Sequence, residues 1–175
     1  SVARFPLYVN CRNTPRIGAL ISQATDGRDI YHGFRRSDDG VEPKVDVWSS
    51  ADNQRALLFA ALEQLRSENY RTEDIAVLSM VSDAHSAAST LGDPWAQRIR
   101  PYELARRGQG KFSSIASFKG LESPAVILTD ITSLATDWDE SMLYVGLSRA
   151  VDRLIALVST EARDDLISRL TGAPR

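Results

Sequence analysis

Two arginines far apart in the chain, Arg12 and Arg149, are of the residue type that best grips a transferring phosphoryl group, because a guanidinium fork matches phosphate oxygens and does not deprotonate. Arg149 lies near the end of an apolar stretch, Ser141-Met-Leu-Tyr-Val-Gly-Leu-Ser-Arg-Ala-Val-Asp152, preceded by Asp137, Asp139 and Glu140 at what would be the positive end of a helix dipole. Met142, Leu143, Val145 and Leu147 predict a largely buried helix, and a buried guanidinium needs an anionic partner or an edge to reach. Phosphate is one such partner; the bland alternative is an ordinary arginine closing a core helix. For Arg12 the alternative is a loop arginine paired with Asp26 or Asp29. Gly146 within the helix and Gly120 in Lys119-Gly-Leu-Glu122 mark, respectively, a close backbone or ligand approach and a turn that strains other residues. For Glu122 the alternative is a helix-capping or surface acid.

These residues need a scaffold, and the chain of 175 residues, 43% hydrophobic, is large enough for one ordinary core. We read residues 1–175 as a single domain. Strand and helix signals alternate. Phe5 to Val9 favours a strand and leads through a polar turn into a helix opening at Thr14 and Pro15, with Ile17, Leu20 and Ile21 as its packing stripe. Lys44 to Ser49 alternates as a strand, Ala51 to about Glu68 reads as a helix capped by Ser50 or Asp52, and Glu73 to Ser79 reads as a central parallel strand. The stretch from Ser82 to Gly110 is hard to decipher. From Lys111 the order is strand, loop, strand, helix, strand, helix, with Arg153 to Val158 as a buried strand and Glu161 to Leu170 as the last helix. That alternation predicts an α/β fold: a mostly parallel sheet with helices on both faces.

Composition narrows the function. A net charge of -2 is not that of a strongly basic nucleic-acid clamp, so any nucleic-acid contact must be local. One cysteine, Cys11, and two histidines leave no disulfide and no metal cage. No signal peptide or membrane span is legible, which leads us to expect a cytoplasmic protein, and the missing initiator methionine suggests a piece of something longer. No Gly-x-x-x-x-Gly-Lys-Ser/Thr phosphate loop and no strand ending in Asp-Glu appear, so the piece by itself is expected not to hydrolyse ATP.

Three islands carry a family resemblance. Ser114 with Lys119-Gly-Leu-Glu122, Tyr144-Val-Gly-Leu-Ser-Arg-Ala150 and Leu7-Tyr-Val-Asn-Cys-Arg-Asn-Thr-Pro-Arg-Ile17 resemble motifs V, VI and IV of superfamily 1 helicases of the UvrD and Rep type. The likeness runs from about Leu7 to Ser159. It implies a RecA-like, three-layer fold without its phosphate loop: the second motor domain of an ATP-dependent DNA helicase or translocase. Residues 81–110 would be a short connection where relatives carry an inserted domain. The resemblance implies that Arg12 and Arg149 reach the γ-phosphate of ATP, with Mg2+, bound mainly to a first RecA-like domain. It gives Glu122 to the ribose or its surroundings, with Gly120 and Gly146 lining the nucleotide. Single-stranded DNA, with RNA left open, would meet Ser82, Ser114, Ser117 and Lys119.

There are departures. Cys11 stands where the family stacks a tyrosine on adenine, and Ala116 replaces a histidine near the DNA backbone. Met80 and Ser82 follow the central strand in place of Arg-x-Asn. Arg98, Arg100, Arg106, Arg107 and Lys111 could supply nucleic-acid contacts or form a solvated face. The rival expectations are a helicase-derived module that binds a partner or nucleic acid without a motor, and a nucleotide-binding α/β enzyme of another type.

Overall fold

The structure is a computed structural model and describes residues 9–25 and 31–171. In chain order its elements are β1 (Val9–Asn10), α1 (Pro15–Ala24), β2 (Gly33–Phe34), β3 (Lys44–Trp48), α2 (Ala51–Ser67) and β4 (Ile75–Ser79). After short 3-10 turns come α3 (Trp95–Arg98), β5 (Ile99–Pro101), β6 (Gly110–Ser114), β7 (Ser123–Ile131), α4 (Asp137–Leu147), β8 (Ala150–Ser159) and α5 (Thr160–Thr171). Six strands form one sheet in the order β3-β8-β7-β4-β6-β5, and every pairing in it is parallel.

Parallel strands covered on both faces read as continuous apolar runs, and Ile75 to Ser79 is buried throughout. Its alternate side chains serve two cores. Ala76 and Leu78 join Ile17, Ile21, Leu143, Leu147 and Leu166 under α1, α4 and α5. Ile75 and Val77 join Leu58, Leu62, Leu65 and Trp95 on the α2 face. This is the expected α/β architecture.

Two expectations need correction, and one stretch left unread takes shape. The first strand does not enter the main sheet: Val9–Asn10 pairs with Gly33–Phe34 in a separate two-stranded ribbon, and residues 5–8 of the predicted strand lie outside the described residues. The obscure stretch from Ser82 to Gly110 contains an edge strand, β5, too short for alternation to register. Helix α4 is less buried than its apolar content implied. Leu143, Gly146 and Leu147 are buried, while Trp138 is 67% exposed.

The start of α4 is a capping box. Thr136 Oγ1 accepts from Asp139 N–H at 3.1 Å, and Asp139 Oδ2 accepts from Thr136 N–H at 3.1 Å and from Ser133 Oγ at 3.0 Å. Partial burial pushes the Asp139 carboxyl up, but the hydrogen bonds from Thr136 and Ser133 outweigh it and hold it below its usual range. A lowered folded pKa contributes stability that is present above the ordinary aspartate value and lost as pH falls through the folded one. Thr136→Ala is expected to cost about 1 kcal/mol. In urea titrations Asp139→Asn should lose more stability at pH 7 than at pH 3; equal losses at both would remove the carboxylate from the cap.

Candidate functional site

Strands β7 and β8 begin side by side, with Ser123 in register with Ala150. The residue before each, Glu122 and Arg149, therefore meets the other at the amino-terminal rim of the sheet. Ser123 N–H donates to the Arg149 carbonyl at 3.0 Å, and the Arg149 guanidinium donates from Nη1 to the Leu121 carbonyl and from Nε to the Val145 carbonyl, each at 3.1 Å. The arginine is thus held by backbone dipoles.

Arg12 arrives at the same rim through an asparagine turn. Asn10 Oδ1 accepts from the N–H groups of Arg12 and Asn13, both at 2.9 Å, and Asn13 Nδ2 donates to the carbonyls of Ala150 and Ser148. Thr14 N–H donates to the Val151 carbonyl at 3.2 Å. The turn is bolted to the corner that carries Arg149. From it Arg12 Nε reaches Glu122 Oε2 at 2.7 Å, and both side chains stay open to water. The alternative partners Asp26 and Asp29 lie outside the described residues.

Burial lowers the Arg149 pKa from its ordinary value, and the charge of Arg12 lowers it further against the pull of Tyr144 and Glu122. Two cations crowded at a half-buried rim favour an incoming anion. Tyr144 also bonds Tyr31, whose phenol is pushed up first by burial and then by that hydrogen bond. Tyr31 meets Phe34 edge to face with centroids 5.8 Å apart. Cys11 is exposed beside this cluster's turn.

The two glycines separate. Gly120 has φ +85°, which favours glycine, and it turns the chain just ahead of Glu122. Gly146 is buried, and a Cβ there would lie 2.8 Å from Leu128 Cδ1 and 3.0 Å from Ile115 Cδ1. Its close approach is to the sheet, and packing against Leu128 and Ile115 accounts for this glycine.

The hydroxyls collect at the opposite, carboxyl-terminal end of the sheet. Ser79 closes β4 in register with Ser114, which closes β6. Ser114 N–H donates to Asp83 Oδ1 at 2.6 Å, and its Oγ donates to Ser117 Oγ at 3.0 Å. Ser82 Oγ shares a hydrogen bond of 2.8 Å with His85 Nδ1. Lys119 lies exposed on the crossing between this end and the arginine rim, without an ion pair among the described residues.

Sequence reasoning missed the supporting residues. Asn10 and Asn13 flank Arg12 at turn spacing, a signal that was there to use. Asp130 had no such signal. It is buried at φ +60° and accepts from Ser79 Oγ at 2.7 Å, Gln54 Nε2 at 2.9 Å and Ala87 N–H at 3.3 Å, tying α2 and the exit of β4 to β7. Those contacts are long-range.

Comparison with known proteins agrees with this architecture. Residues 110–157, from β6 through most of β8, match the sequence model of the UvrD-like helicase C-terminal domain. Among solved structures, the chain is similar to the C-terminal domain of a possible DNA helicase from Lactobacillus plantarum WCFS1. The TM-score is 0.67 and the identity 18%, over 91% of this chain and 93% of that one. No curated protein matches the chain. The matching segment, about a quarter of the chain, resembles a UvrD-like helicase C-terminal domain and holds the strand ends on which Ser114, Glu122 and Arg149 stand.

Proposed function

We propose that this domain is the second motor domain of an ATP-dependent superfamily 1 DNA helicase or translocase. One observation carries the reading: Arg12, Glu122 and Arg149, from both ends of the chain, converge at a single solvent-open rim. ATP binds on a first RecA-like domain and meets this rim as the cleft between them closes. Arg149 and Arg12 then stabilise charge on the transferring phosphoryl group. Mg2+ accompanies the nucleotide and offsets charge on its phosphates. The Arg12–Glu122 pair is exposed and contributes at most about 1 kcal/mol, so it is readily exchanged. Arg12 turns to phosphate, and Glu122 is released toward the ribose.

At the other end of the sheet, Ser82, Ser114 and Ser117 offer hydroxyls to the backbone of single-stranded DNA, with Lys119 on the crossing. Cleft closure and reopening step the strand along. The test is steady-state ATPase in the protein that joins this domain to its phosphate-loop domain. Glu122→Ala should raise KM for ATP several-fold with kcat nearly kept, and Arg12→Ala should lower kcat. Unchanged turnover in Arg12→Ala would overturn the assignment.

A further inference from the structure

Between Ala96 and Gly120 the chain carries six basic residues against one acidic residue, Glu103, a net of +5 in a protein whose total is -2. The six are Arg98, Arg100, Arg106, Arg107, Lys111 and Lys119. Elsewhere the cations are mostly held by carboxylates, as in Arg16 with Asp38, Arg71 with Asp74, Arg153 with Glu68 and Arg169 with Glu140. None of the six makes a salt bridge among the described residues. Arg98 lies 5.5 Å over the Trp95 ring, near enough to Glu63 to help lower its carboxyl, and Lys111 lies 6.0 Å over the Tyr102 ring.

The fold places four of these charges along one border. Arg100 stands in register with Lys111 on the outermost strand pair. Arg106 and Arg107 sit on the crossover between those strands, where with Arg71, Lys111 and the exposed Tyr102 they line a cleft of about 550 Å3. Its two carboxylates are engaged: Asp74 and Glu73 pair with Arg71, and Glu73 also accepts from Gly108 N–H at 3.0 Å. Basic residues and a proline on an edge strand guard it against pairing with another chain, which accounts for Arg100 and Pro101. Arg106, Arg107 and Lys119 lie off the strand, and edge protection does not need them.

We propose that this β5–β6 border is a second nucleic-acid contact, binding the phosphate backbone through Arg106, Arg107 and Lys111. An extended row of unpaired cations suits a polyanion with regularly spaced charges better than one compact phosphate. The contact carries no base readout, since its donors are charged side chains rather than groups placed to read base edges. It rests on the nucleic-acid part of the function proposed above and extends it to a surface outside the three helicase-like motifs.

The test is fluorescence anisotropy of this chain with a labelled oligothymidylate and a labelled duplex, titrated across salt concentrations. Arg106→Gln, Arg107→Gln and Lys111→Gln are combined in one variant. That variant should lose at least about tenfold in affinity at low salt, and the slope of log K against log salt should shrink by about 2 units on the single strand. Greater weakening on one of the two probes identifies the form bound. Arg16→Gln with Arg55→Gln and Arg66→Gln, all three ion-paired away from this border, is the charge-matched control and should bind as wild type. Circular dichroism checks that the triple variant is folded. The proposal is overturned by an unchanged affinity and slope in the folded triple variant, by wild-type protein that binds neither probe, or by polyglutamate competing as well as oligothymidylate, which would mark a surface for acidic proteins. The motor reading is judged separately by ATPase: loss of turnover in Arg149→Ala with an unchanged salt slope retires only the border, and the reverse retires only the motor.

Discussion

On the proposed motor role, Arg149→Ala, placed in a protein that joins this domain to a phosphate-loop domain, is expected to lower kcat for ATP by about 10³ to 10⁵. The size follows from where the charge sits. Arg149 is fixed by the Leu121 and Val145 carbonyls at 3.1 Å, so its guanidinium costs little further ordering when phosphate arrives. Partial burial and the neighbouring Arg12 leave it under-compensated, and an anion relieves both. Because the contact matters most as charge develops in transfer, KM should move far less than kcat. Arg149→Lys should recover only a minor part, since an ammonium lacks the fork that grips two carbonyls and phosphate together. Turnover within threefold of wild type in Arg149→Ala would end the role assigned to it.

Trp95→Ala should produce the largest loss of stability of the substitutions considered, about 3 to 5 kcal/mol. Trp95 is fully buried, packs in the core on the α2 face with Leu91, Ile99 and Phe112, and donates its indole N–H to Glu63 Oε1 at 2.9 Å. Truncation leaves a large void beneath the segment that carries β5. The melting temperature should fall by on the order of 10 °C. Trp138→Ala removes the same side chain where it is 67% exposed and should change stability by no more than about 0.5 kcal/mol. Urea denaturation of both variants settles it, and equal losses would contradict the burial described for Trp95.

The legibility of the site was uneven for physical reasons. Arg12, Glu122 and Arg149 were each readable in sequence, but their meeting depends on the Ser123–Ala150 register and on the asparagine turn bolted to Ala150, neither of which is a local property. Gly146 was legible as a close backbone approach; only packing reveals that Leu128 and Ile115 are the neighbours it approaches. The stretch from Ser82 to Gly110 resisted reading because its elements are single turns and a three-residue strand, held by Trp95 and by the buried Asp130 instead of by periodicity.

Local chemistry in the chain determined the main helices and central strands, because hydrophobic period and capping residues act over a few positions. It also determined the helicase-like motifs and the two arginines. Tertiary structure alone decided which ends of the strands share a rim, that Glu122 is the carboxylate beside Arg12, that the serines gather at the far end, and that Arg100, Arg106, Arg107 and Lys111 share one border. Those outcomes rest on strand order and register, set by burial summed over the whole sheet, and no window of neighbouring residues contains that sum.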